Sequence, residues 1–233
     1  MKTYRIADLV VAMNVNGRTL RQAAAYEIPE QEPDMIVLCD PQRLKQNRSH
    51  LSLDDCEYLM SGETFYKKLT FFNGMMLHSS CVVVDGKAYL FSAPSGVGKS
   101  THVKLWLSFL KDRAFVLNDD KPALRIVDSE VRAYGTPWSG TEDISVNSGY
   151  PVGGIAVLKR GEENSIRSLT PQEAFFDLVD QSHRSLTGNA RDRFFKILDY
   201  ILRNVKLYEL KCNMDISAAL LSYATMTGNE VSL

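Results

Sequence analysis

Little in this chain suggests disulfides, membranes or nucleic acid, and each shortage removes a class of function. Cysteine is sparse: Cys39, Cys56, Cys81 and Cys212 lie far apart with no C-x-x-C pair. Neither a disulfide framework nor a thiolate metal site is implied, and the four are expected to be buried apolar residues. Lys and Arg together number 27 against 28 Asp and Glu, a formal net charge of −1, so there is no electrostatic footprint for nucleic acid or an anionic bilayer. No apolar run approaches the ~18 residues a membrane span requires. The apolar stretch near the N-terminus contains Asp8, unlike a secretory signal. Repeats and low-complexity segments are lacking too. These shortages together lead us to expect a soluble, cytoplasmic protein with no nucleic-acid or membrane partner. Its 233 residues suffice for a sizeable core without disulfides or structural metal.

What is present is organised unevenly. Residues 4–15 alternate loosely as one strand before the Asn16-Gly17 turn signal, and Met35 to Cys39 make a short buried strand before Asp40-Pro41. The stretch 40–55 is polar and loop-rich, and the apolar spacing from Asp54 to Phe72 predicts helical pieces interrupted near Ser61-Gly62. We expect a small N-terminal α/β lobe over residues 1–62 and a catalytic domain over 63–233. In the latter, Cys81–Val84 and Lys87–Phe91 flank Asp85-Gly86 as a hairpin. Ala114–Leu117 is a short buried strand delivering Asn118-Asp119-Asp120, and the segments 124–127 and 131–134 form another hairpin around Asp128-Ser129. Gly135–Gly140 is a rigid turn with Trp138 as an exposed aromatic candidate, whose indole is expected either to pack in the core, the favoured reading, or to line the acceptor or nucleotide pocket. A strand over 154–158 ends in Lys159-Arg160. Thr170-Pro171-Gln172-Glu173 opens a C-terminal helical region with a capping signature. Further helices are expected over 192–202 and 215–223, with a strand at 205–210 between them.

One segment carries chemistry. Ala93-Pro94-Ser95-Gly96-Val97-Gly98-Lys99-Ser100 has the spacing of a phosphate-cradling P-loop between a strand and an apolar-faced helix. Such a loop turns backbone N–H groups toward one point, and the helix N-terminus adds the positive pole of its dipole. Gly96 and Gly98 permit the close backbone approach, Lys99 reaches the β/γ-phosphates, and the Ser100 hydroxyl joins a Mg²⁺ shell. The nucleotide-binding set is therefore Ser95, Gly96, Val97, Gly98, Lys99, Ser100 and Thr101. Adjacent acids at the end of a core strand are where an α/β phosphotransferase places a metal-supporting carboxylate or a base, which selects Asp119 and Asp120. Two acids so close are expected to raise one partner's pKa.

Taken together, His78 before a hairpin, the Ser95–Ser100 loop, the Asp119-Asp120 pair about twenty residues on, and Gly135-Thr136-Pro137-Trp138 resemble the HPr kinase/phosphorylase-like family. Its core shares the architecture of ATP-dependent phosphoenolpyruvate carboxykinase. The likeness spans roughly residues 75–160. It implies an α/β fold with a mixed-sheet P-loop core, a small N-terminal α/β lobe and C-terminal helices. It also implies an ATP- and Mg²⁺-dependent kinase that transfers the γ-phosphate to a hydroxyl, either a protein or peptide Ser or a small metabolite. Thr101 stands where those kinases carry an acidic residue, so the fold and ATP chemistry transfer better than the substrate.

In this reading Lys99, Asp119, Asp120 and His78 are catalytic, and Ser100 and Asp119 hold the metal. One of the two acids orients or deprotonates the acceptor hydroxyl, and His78 contacts phosphate or assists that base. His102 is expected to face solvent or the adenine edge, His50 and His183 to lie on the surface, and Arg160 to sit at a strand end within reach of transferring charge. A homo-oligomer is open. The alternative is a module that binds ATP without turning it over, acting as a sensor or scaffold. An antiparallel pairing of 81–84 with 87–91 would exclude an ordinary metabolite kinase on a parallel P-loop sheet.

Overall fold

A computed structural model of the chain describes residues 1–183 and 185–229. At the N-terminus β1 (Lys2–Ile6) and β2 (Leu9–Met13) form an antiparallel hairpin. The strand expected over 4–15 is therefore two strands, because Ala7 (φ 53°) and Asp8 (φ 61°) both adopt the left-handed conformation of a tight two-residue turn. Asn16-Gly17, expected as a strand turn, instead opens α1 (Gly17–Ala23). Asn16 is held there by Glu57, whose carboxylate accepts from its backbone N–H at 2.6 Å and from its Nδ2 at 3.2 Å. With β3 (Glu27–Ile28) and β4 (Met35–Val37) the hairpin completes a sheet ordered β3-β1-β2-β4.

The stretch 40–55 is not a loop. Asp40 caps α2 (Pro41–Asn47) through the Arg43 N–H, with Pro41 in the first turn where its missing N–H costs nothing. A Ser52/Asp55 capping box then starts α3 (Leu53–Leu69). This helix runs unbroken through Ser61-Gly62, crossing the expected boundary at 62–63. Gly62 is there for packing: a Cβ would stand 2.9 Å from Cδ1 of Trp138. The Trp138 indole, 1% exposed, stacks on Phe65 at 4.8 Å between centroids and donates from Nε1 to Ser61 Oγ at 3.2 Å. Of the two readings of Trp138, packing holds: the turn buries the indole instead of exposing it. Gly62→Ala is expected to cost about 1–3 kcal/mol through overpacking, read as a lower urea midpoint with an unchanged slope.

After β5 (Gly74–Met76), β6 (Ser79–Val84) and β7 (Lys87–Ser92) pair antiparallel, Cys81 opposite Leu90 and Val84 opposite Lys87. Then come α4 (Lys99–Leu110), β8 (Ala114–Asn118), β9 (Ala123–Val127), β10 (Glu130–Tyr134) and β11 (Gly149–Arg160). The chain continues through β12 (Ser165–Ser168), α5 (Pro171–Asp180), α6 (Gly188–Asn204), β13 (Leu207–Cys212) and α7 (Ile216–Thr227). Among the described residues, one mixed sheet runs β5-β9-β10-β11-β7-β6-β8, and β13 joins β11 beyond β10 and pairs in turn with β12. The long β11 makes this possible. Its first residues pair with β10, while Ile155–Arg160 pair with β13 and Val152–Val157 with β7 on the opposite edge.

Period-2 alternation sorts the central strands onto two cores. Cys81, Val83, Leu90, Ile155 and Val157 pack with Leu178, Phe194, Leu198 and Ile201 of α5 and α6. Val82, Val84, Phe91, Ala156 and Leu158 pack with Val103, Trp106 and Tyr223 of α4 and α7. The chain is thus a mixed α/β protein with helices on both faces of its main sheet. A third core joins the N-terminal lobe to Ala123, Tyr134 and Trp138 through Phe65, Tyr66 and Leu69 of α3.

Candidate functional site

The topology concentrates chemistry at one end of the sheet. Strand β6 runs antiparallel to both β7 and β8, with Ser79 opposite Ser92 and Cys81 opposite Asn118. The C-terminal ends of β7 and β8 therefore flank the N-terminal end of β6. That places the 93–98 loop, Asp119-Asp120 and His78 around one cavity of about 390 Å³. Its walls include His78, Ser95, Gly96, Gly98, Lys99, Ser100 and Thr101 on one side and Asp119, Asp120 and Ser139–Glu142 on the other. Of the expected set, Val97 alone is turned elsewhere. It lines an adjoining cavity of about 440 Å³ with Leu105, Leu158, Arg160 and Met214, which shares Gly96, Gly98 and Thr101 with the first.

Gly96 (φ 80°) and Gly98 (φ 121°) take backbone angles that L side chains resist, and nothing lies within 4 Å of a Cβ built at either. The constraint here is conformational: the reversal aims the N-terminus of α4 into the cavity. Lys99, its first residue, is 8% exposed. Its Nζ donates to the Ala93 and Pro94 carbonyls at 3.0 and 3.4 Å. Burial lowers the Lys99 pKa, and the nearby Asp120 and Asp119 work against that shift. Ser100 Oγ lies 3.5 Å from Ser80 Oγ, and Arg160 Nη2 clamps the loop at the Gly96 carbonyl, 2.6 Å away.

The two acids differ. Asp120 Oδ1 is 3.3 Å from His78 Nε2, and Oδ2 pairs closely with Lys121 Nζ. Burial pushes this carboxyl up, but the His78 hydrogen bond and the Lys121 charge outweigh it and hold the pKa down at about 2. The rise expected from two adjacent acids is thus reversed at Asp120, because two basic neighbours lie closer than the repulsion argument allowed for. Asp119 Oδ1 is buried and has no hydrogen-bond partner. An orphaned carboxylate oxygen at the cavity that Ser100 also lines is the donor chemistry a hard divalent cation uses. No cluster of three or more His, Cys, Asp or Glu suited to a metal occurs among the described residues. A cation here would draw its other ligands from phosphate and water, as Mg²⁺ does.

Several residues of this site carry no strong sequence signal. Asn118, fully buried, accepts from the Asp120 and Lys121 N–H groups at 3.0 and 2.7 Å and donates to the Thr136 carbonyl at 3.0 Å. It sets the turn that aims Asp120, and an Asx-turn reading of Asn118-Asp119-Asp120 could have found it. Gln181, just past α5, pairs its Oε1 with His78 Nδ1 at 2.9 Å and accepts the His78 N–H at its own carbonyl. The 139–142 wall is held from the N-terminal lobe, where Gln22 donates to the Gly140 carbonyl and Tyr58 OH accepts the Gly140 N–H, both at 3.1 Å. His102 is 3% exposed and so does not face solvent, but it lines the adjoining cavity beside Val97 and Leu105. Its Nε2 bonds Ser222 at 2.8 Å, and burial lowers its pKa to about 4, so it stands there as a neutral imidazole. His50 is exposed, whereas His183 is partly buried beside a separate cavity.

No helix among the described residues is long and apolar enough to cross a membrane. No curated protein matches this sequence. Among solved structures, the HPr(Ser) kinase/phosphatase from Coxiella burnetii is similar at 12% identity, over 66% of this chain and 95% of that one, with a TM-score of 0.39. A family match covers residues 37–215, more than half the chain, including every residue of the cavity described above, and by it the chain belongs to the family described as SynChlorMet cassette protein ScmC.

Proposed function

We propose that this protein is an ATP- and Mg²⁺-dependent kinase that passes the γ-phosphate to a hydroxyl. The observation that carries the reading is the cavity that sets Lys99, Ser100 and the start of α4 opposite an unpartnered Asp119 oxygen and an ionised Asp120. Phosphoryl transfer asks a protein mainly for charge neutralisation and alignment, and these residues supply both. The first N–H groups of α4 lack intrahelical acceptors by helix geometry and would bind the β- and γ-phosphates with Lys99. The nucleoside half would enter the adjoining cavity past Val97. Mg²⁺, held by Ser100 and Asp119, would supply charge neutralisation between the phosphates.

Asp120 would orient the acceptor hydroxyl and receive its proton late in the transfer. A carboxylate held near a pKa of 2 is a weak base, which suits a loose transition state in which the nucleophile keeps its proton until the bond to phosphorus has formed. His78, locked by Gln181, keeps Asp120 ionised and pointed into the cavity. The test is incubation with γ-labelled ATP and Mg²⁺ against a panel of hydroxyl acceptors, alongside calorimetric titration of ATP. A labelled ester together with saturable binding supports the kinase. Saturable binding with no turnover on any acceptor would instead indicate a nucleotide sensor.

A further inference from the structure

A second cavity, about 290 Å³, lies between helices α2 and α3 of the N-terminal lobe and the main sheet. It shares a wall with the phosphate cavity, built three times over. Asp120 faces one cavity and Lys121 the other; Ser139 faces one and Trp138 the other. His78 lines the first, while the residues after its partner Gln181, namely Ser182 and His183, line the second. Aromatic and aliphatic groups make most of the second lining, with Tyr58, Tyr66 and Trp138 deep and Leu44 and Leu59 outward. Its volume sits at the lower end of small-molecule sites, enough for one amino-acid-sized group.

The charges have direction. At the inner end the Lys121 ammonium is paired with Asp120 and stands 5.5 Å from the Tyr58 ring centroid. Arg48, on the outward side of the lining, is exposed, and its guanidinium makes no hydrogen bond or ion pair among the described residues. A free guanidinium beside an apolar slot suits a carboxylate carried on an aromatic body.

We propose that this cavity is the acceptor site and that the acceptor is a small aromatic hydroxy-carboxylate, ring among Tyr58, Tyr66 and Trp138, carboxylate on Arg48, hydroxyl at the inner end, where parting of the Lys121–Asp120 pair would open the shared wall to the phosphate cavity. The proposal rests on the kinase reading. In the transfer, the acceptor oxygen bonds to the γ-phosphorus as the bond from that phosphorus to the β–γ bridging oxygen breaks. The nucleoside diphosphate leaves with the electron pair, and the hydroxyl proton passes to the Asp120 carboxylate. The N-terminal lobe then has a role: it supplies most of the acceptor pocket and, through Gln22 and Tyr58, holds the 139–142 wall.

The probes are N-acetyl-L-tyrosine, its amide and N-acetyl-L-serine, followed on the full chain by saturation-transfer NMR without nucleotide and by ³¹P NMR with ATP and Mg²⁺. N-acetyl-L-tyrosine is expected to bind saturably and to be phosphorylated. The amide is expected to be about tenfold weaker, the loss of one charge-assisted contact, and serine not to compete. Arg48→Gln should abolish the difference between acid and amide. Leu59→Trp, at a position already 38% exposed and so tolerant in folding, should block both; its melting temperature checks the fold. Serine binding equally well, or Leu59→Trp leaving tyrosine binding intact, overturns the pocket assignment. Tyrosine binding without an ester, while ATP is bound and turned over, overturns the acceptor role. If calorimetry finds no ATP binding, the kinase reading fails and the acceptor role falls with it, and the nucleotide-free NMR still reports on the pocket separately.

Discussion

Lys99→Met is expected to weaken ATP binding by about 100-fold while raising the melting temperature of the nucleotide-free protein. The two effects have one cause. In the free protein Lys99 is 8% exposed, and its ammonium has two loop carbonyls as hydrogen-bond partners. Burial lowers its pKa despite the pull of Asp120 and Asp119. The folded state therefore holds this proton less tightly than the unfolded chain does. The cost to stability is present at neutral pH and fades as pH rises toward the ordinary lysine value. Methionine removes that cost at similar length, and a gain of about 1 kcal/mol corresponds to roughly 2–4 °C for a chain of this size. A bound polyphosphate would reverse the balance by giving the charge strong acceptors, each worth about 1.5–3 kcal/mol. Calorimetry and thermal unfolding on the same samples check both halves. Undiminished ATP affinity in the variant would remove Lys99 from the phosphate site.

Asp120→Asn is expected to lower kcat by about 10²–10⁴-fold, the range for a positioned acid or base, with ATP affinity little changed. Asp119→Asn should instead raise the Mg²⁺ concentration needed for half-maximal rate, because in the proposed site its unpartnered oxygen would hold the cation together with Ser100. A single-turnover assay at varied Mg²⁺ separates the two, and equal behaviour of the variants would undo the division of labour. Asp120 also carries a stability signature. Its fall from 3.8 to about 2 is worth about 2 kcal/mol at neutral pH. Because the folded carboxyl has the lower pKa, this stabilisation is complete above the unfolded value and is lost as pH falls from about 4 to 2. The melting-temperature gap between wild type and Asp120→Asn should therefore be wide at pH 7 and narrow at pH 3.

The spacing of Gly96, Gly98, Lys99 and Ser100, the hairpin turn at Asp85-Gly86 and the paired acids after β8 were all legible, because each is a local pattern with a local cause. Short apolar runs bounded by turn signals announced β6, β7 and β8, and a capping box announced α5. Local misreadings had local reasons as well. Asp40-Pro41 resembles a chain breaker until Arg43 donates to Asp40, and Gly62 resembles a helix interruption until the Trp138 indole lies against it.

What no window of residues contained was the meeting of distant parts. Gln181 reaches His78 across 103 positions, Gln22 reaches Gly140 across 118, and Lys121 joins helices α2 and α3 at a cavity wall. Short-range chemistry shaped the 93–98 loop, since backbone angles and helix polarity depend on immediate neighbours. The ionisation of Asp120, the neutrality of His102 and the shape of the second pocket depend on which groups folding brings within a few ångströms, and charge and dielectric act through space without regard to chain order.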